Sequence, residues 1–133
     1  MLKLEIVTPE KKVADVEVDS VTIPTASGEI GVMPHHAPLI SAMKPGILSY
    51  SGRGVSDRIA VSGGFVEVSG DKVAVLVDQA ERAAEIDTEA ARASRYEAEK
   101  SIAAGAQAPV EEVASAREEL EHAEARIQLA AGK

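Results

Sequence analysis

The sequence predicts a β + α protein: an N-terminal antiparallel β-sandwich or flattened barrel over residues 1–84, then a C-terminal antiparallel two-helix hairpin over residues 85–133. Three observations carry that expectation. Beyond position 70 the only glycines are Gly105 and Gly132, and beyond position 45 the only proline is Pro109, so turn formers crowd the first part. Alanine, the strongest helix former, crowds the last third. Apolar residues alternate with period two in the first part and recur at steps of three and four in the last.

The strands follow in order. Leu2, Leu4 and Ile6 alternate with Lys3 and Glu5, and Val16 and Val18 repeat the pattern. Val21 and Ile23 resume it one register later, so a bulge or bend is expected at Asp19-Ser20. Further strands are expected at 47–50, 58–61, 65–68 and 73–77, with turns at 51–54, 62–64 and 69–71. Residues 28–38 read as a rigid inter-strand loop: Gly28 and Gly31 flank Glu29, and Pro34, Pro38 and Pro45 stiffen the path. With 2% aromatic residues against 45% hydrophobic ones, the core must be aliphatic.

In the second part, Asp87 can cap a helix whose body runs to about Ala103. The stretch AAGAQAP breaks it, and Pro109 suits the first turn of the next helix. There Val113, Ala116, Leu120, Ala123, Ile127 and Ala130 form a seam against the first helix, which offers Ala91, Ala98 and Ile102. Half of the seam is alanine, and each buried carbon contributes only about 0.8 kcal/mol. Such a hairpin is either a small stable unit or one able to leave its sandwich.

Several chemistries find no foothold. The net charge of −8 argues against nucleic acid, which needs clustered cations. The absence of cysteine removes disulfides, thiolate catalysis and cysteine-based zinc sites. No window approaches the roughly 18 apolar residues of a membrane span. The start, MLKLEIVTPEKK, alternates in place of forming a signal-peptide core, so a cytoplasmic protein is expected. His35 and His36 would point to opposite faces of an extended chain and share no metal, and His122 has no partner at ligand spacing. The stretch GGFVEVSGDK resembles a phosphate loop only loosely, because Asp71 stands where lysine is needed.

One motif set is more specific. Gly28-Glu29-Ile30-Gly31-Val32-Met33-Pro34, His36-Ala37-Pro38-Leu39, Ser62-Gly63-Gly64-Phe65, Ala80-Glu81-Arg82 and Ile86-Asp87 follow one another in order. With them the chain resembles the epsilon subunit of F-type ATP synthases. That resemblance implies a non-catalytic subunit of the rotor's central stalk, bound to the gamma subunit, resting on the c-ring and reaching the alpha/beta head through its hairpin. It implies no cofactor of its own, a peripheral place on the cytoplasmic face of the bacterial plasma membrane, and possession of a hairpin that can restrain ATP hydrolysis. Gly28, Glu29, Ile30, Gly31 and His36 correspond to a c-ring contact loop, in which His35 stands where many members carry glycine. Some members bind ATP through a motif that here reads Ile86-Asp87-Thr88-Glu89-Ala90-Ala91. Ala90 replaces an arginine and His122 replaces another, while Glu81, Arg82, Asp87 and Arg126 remain, so weak or absent ATP binding is expected. The alternatives are a free-standing binding module that presents residues 28–38, and a cupin-like metalloenzyme that the histidine geometry disfavours.

Overall fold

The computed structural model describes residues 1–105 and 110–132. Among these residues the chain forms β1 (Leu2–Val7), β2 (Lys12–Val18), β3 (Ser20–Thr25), β4 (Gly28–Val32) and β5 (Leu39–Met43). There follow β6 (Gly46–Gly52), β7 (Val55–Val61), β8 (Gly64–Ser69), β9 (Lys72–Val77) and β10 (Ala80–Arg82). A 3-10 turn (Ala83–Glu85) then leads into α1 (Thr88–Ala104) and α2 (Val110–Gly132). The expected first turn of the second helix at Pro109, and most of the AAGAQAP break, lie outside the described residues.

The strands are ordered β10-β7-β6-β3-β5-β8-β9-β1-β2, with β4 on the other side of β3. A single residue pair, Thr25 with Met43, joins β3 to β5. At that joint the sheet folds over into two layers, β4-β3-β6-β7-β10 and β5-β8-β9-β1-β2. Period-two side chains from both layers meet in one buried cluster that includes Leu2, Leu4, Ile6, Ile23, Leu48 and Ile59. Tyr50 is the aromatic residue within it. Asp19 is where the chain crosses between layers, between β2 and β3, and its amide donates to Ser51 O (2.8 Å). Gly52, at φ +148°, packs so close to the Asp19 amide that a Cβ could not fit.

Two expectations need correcting. The sandwich is not wholly antiparallel: β1 runs parallel to β9. No hairpin links these two strands, so nothing local imposes the antiparallel direction. Gly28–Val32 is also not loop but an edge strand, paired along its length with β3. Gly28 has the left-handed backbone of a turn residue (φ +114°) whereas Gly31 lies within the strand, where an edge tolerates it.

Asp87 caps α1, its Oδ1 accepting from Ala90 N at 3.1 Å. Ala91 and Ala98 of α1 and Ala116 and Ala123 of α2 are buried as the helices pack together, while Val113, Leu120, Ile127 and Ala130 remain partly exposed. A second stripe of α2, Ala125 and Leu129, is buried against Ile47, Ala60, Ala83 and Ile86. That stripe seats the hairpin on the outer face of β6 and β7. No helix of the described residues is long and apolar enough to cross a membrane.

Candidate functional site

The β3–β4 hairpin turns at Ala26-Ser27. Thr25 fixes it, its hydroxyl donating to Gly28 O and accepting from Ser27 N. Glu29 follows directly, exposed on the edge strand and opposite Pro24. Ile30 turns inward against the core, and Gly31 is exposed. At the far end of β4, His36 N donates to Met33 O (3.1 Å) and closes a turn with Pro34 second and His35 third. His35 has φ +68°, the left-handed value that the third position of a type II turn requires. The chain is therefore not extended at the two histidines, which revises the geometry expected for them. His35 N donates to Asp71 Oδ1 (3.1 Å), and His36 Nδ1 lies 2.7 Å from Ala37 O. Glu29 and His36 thus flank opposite ends of β4, separated by about 10 Å of strand between Glu29 and Val32 alone. They do not share one loop tip.

The second set of residues divides as well. Glu81, His122 and Arg126 come together where α2 meets the sandwich. Arg126 Nε lies 2.7 Å from Glu81 Oε1, and both side chains are largely covered. His122 sits one turn earlier on α2, and its Nε2 is buried with no hydrogen-bond partner among the described residues. Burial pushes the His122 pKa below its ordinary value, the Arg126 charge adds to that, and Glu81 opposes it. Beside these residues lies a cavity of about 640 Å³ between the helices and the turns of the sandwich. Asp78, Glu97, Glu118 and Glu119 line it together with His122 and Arg126.

Arg82, Asp87 and Ala90 do not line that cavity. Arg82 Nε donates to Asp57 Oδ2 (2.8 Å), and its two terminal nitrogens donate to Val13 O (3.3 Å each). It ties β10 and β7 to β2 and so clasps the open edges of the two layers. Asp87 is occupied as the cap of α1, and Ala90 is exposed in its first turn. Among the described residues no group of three or more His, Cys, Asp or Glu is placed to hold a metal.

A third surface escaped the sequence reading. Ile40 (72% exposed), Phe65 (59%) and Leu76 (54%) stand on the outer face of β5, β8 and β9. Phe65 pairs with Leu76 on one side and Ala42 on the other. The signal was available: Phe65-Val66 and Leu76-Val77 are adjacent apolar pairs, and one member of each must face outward in a strand.

Residues 1–83 match the family described as ATP synthase, Delta/Epsilon chain, beta-sandwich domain. The ATP synthase epsilon chain of Carboxydothermus hydrogenoformans is 50% identical over 102 residues, 77% of this chain and 76% of that one. The epsilon chain of Herpetosiphon aurantiacus is 42% identical over 129 residues, 97% of this chain and 93% of its own, so the similarity extends through the hairpin. The chain belongs to the ATP synthase epsilon chain family. A chain in the cryo-EM structure of Euglena gracilis mitochondrial ATP synthase, OSCP/F1/c-ring, superposes with a TM-score of 0.77 at 25% identity, covering 99% of this chain and 81% of that one. A chain of the Tetrahymena thermophila mitochondrial ATP synthase central stalk and c-ring shares the fold, with a TM-score of 0.62 at 15% identity over 98% of this chain and 94% of that one. The match to the Herpetosiphon aurantiacus epsilon chain spans both the sandwich and the hairpin, so the free-standing binding module is not favoured.

Proposed function

We infer that the chain is a non-catalytic subunit of the central stalk of a proton-translocating F-type ATP synthase. It couples rotation of the c-ring to the catalytic head. The observation that carries this inference is the match to epsilon chains across both the sandwich and the hairpin. Residues 1–84 and 85–133 act as two units, one anchoring and one regulatory. Glu29, exposed beside a rigid turn on an edge strand, is the residue offered to basic loops of the c-ring, with Gly28, Ile30 and Gly31 shaping its approach. His36, beyond the other end of β4, belongs to the same proposed c-ring contact region. The apolar face of Ile40, Phe65 and Leu76 takes the gamma subunit, because exposed apolar surface on this scale suits a lasting partner. The hairpin extends to the alpha/beta head and restrains ATP hydrolysis. The subunit sits on the cytoplasmic face of a bacterial plasma membrane, held there through the complex.

Affinity capture of the tagged chain from detergent-solubilised membranes tests the reading. Gamma and the alpha/beta head are expected in stoichiometric yield, and recovery of the chain alone overturns it. Glu29→Lys is expected to leave the sandwich folded while weakening coupling. An exposed ion pair contributes about 0.2–1 kcal/mol, so its loss alone weakens the contact by roughly 1.4- to 5-fold. Unchanged proton pumping in membranes with this variant removes the role of Glu29.

A further inference from the structure

We propose that His122 is a proton-operated latch: protonating its imidazole frees α2 from the β6–β7 face of the sandwich. The docking contact is thin. Leu129 is the large α2 side chain fully buried in it, with Ala125 beside it, and the Arg126–Glu81 ion pair adds one polar tie. His122 stands one turn before Arg126 and lines the acidic cavity. Its Nε2 is shut off from solvent and, among the described residues, meets no acceptor. Protonating the ring would create a second cation beside Arg126, at a partly buried site where Nε2 meets no protein acceptor among the described residues.

The surrounding charges come from every packed element. Asp78 and Glu81 belong to the sandwich, Glu97 to α1, and Glu118, Glu119 and Arg126 to α2. Glu81 is already engaged by Arg126, and no hydrogen bond joins any of the carboxylates to His122. Burial, reinforced by Arg126, outweighs the opposing pull of Glu81 and depresses the imidazole's basicity in the docked form. The undocked helix exposes His122 to water and restores its ordinary pKa of about 6.5. Docking therefore holds above pH ~6.5 and weakens as the pH falls, until the docked form also takes up a proton. Between pH 7.5 and 5.5 the undocked-to-docked ratio can grow by up to about tenfold. That acid would thereby favour the extended, hydrolysis-restraining hairpin rests on the function proposed above, whereas the docking equilibrium itself does not.

The test uses the full chain alone, so it is independent of the capture experiment. The native sequence has no cysteine, and Ser56→Cys with Glu99→Cys places one spin label on the sandwich and one on α1, both at exposed positions. A Leu129→Ala background weakens docking and brings the undocked population into range. The ratio of long to short label distances is expected to rise several-fold from pH 7.5 to 5.5, and His122→Gln is expected to abolish the rise. A ratio that is constant, that falls on acidification, or that rises equally in His122→Gln overturns the proposal. NMR titration of the chain without labels gives a second reading. His122 is expected to titrate below pH 6.5, and a midpoint at or above that value also overturns the latch.

Discussion

His35 shows how one backbone angle ranks side chains. At φ +68° an ordinary L-residue carries a steric cost of about 1–2 kcal/mol. Glycine escapes that cost but loses about 0.5–1 kcal/mol more chain entropy on folding. His35→Gly is therefore expected to leave stability unchanged or raise it by up to about 1.5 kcal/mol, measured by urea unfolding. His35→Val, β-branched and stiff at χ1, should lower stability relative to His35 in the same assay. Arg82 decides a different question, between a phosphate-facing cation and a clasp. Hydrogen bonds to charged groups contribute about 1.5–3 kcal/mol, reduced here because Arg82 and Asp57 are each about a third exposed. Arg82→Ala is expected to cost about 1–2 kcal/mol of stability, and Arg82→Lys should not restore it, since one ammonium cannot serve both Asp57 and Val13. The cap at Asp87 was legible in the sequence because its partner, Ala90, lies three residues away. The role of Arg82 was not, because Asp57 and Val13 are 25 and 69 residues distant along the chain.

Among the elements, β1, β2 and β3 were legible from alternation, and β6, β7, β8 and β9 as short apolar runs between turn clusters. β4 and β5 were not, because glycine and proline around them read as loop while their pairing to β3 and β8 is decided across the fold. Helix α2 divides in the same way. Its seam toward α1 has a local three-four rhythm, but Ala125 and Leu129 have meaning only against Ile47 and Ala60. The two-sided use of α2 also bears on nucleotide binding. Glu81 already neutralises Arg126, His122 is uncharged near neutral pH, and carboxylates line the neighbouring cavity. ATP is expected to bind more weakly than about 1 mM at pH 7.5 by calorimetry. His122→Arg adds a cation to that cavity and should create or strengthen binding, whereas Ala90→Arg, outside it, should add little. Tight binding by the unmodified chain would mean that other residues supply the positive charge.

At the scale of the whole molecule, the main core draws on strands alone, with no helix residue in its buried cluster. Removing residues 87–133 is expected to leave the sandwich folded, at a loss of about the 1.5–3 kcal/mol that one buried leucine contributes. In the reconstituted complex the same truncation should raise ATPase activity, and no rise would reduce the hairpin to a structural appendage. The parallel β1–β9 pair has a consequence for how such a chain is made. Leu4 lies beside Val73, so the first strand has no inner neighbour until synthesis has passed residue 77. At about 5–20 residues per second, the first strand waits roughly 4–14 s on the ribosome. Through that interval β1 has only β2 as a hydrogen-bonded neighbour, and a two-stranded ribbon is marginal by itself. Closure of the sandwich is thus a late event in translation, and a ribosome that stalls before residue 77 leaves an adhesive apolar strand on the nascent chain.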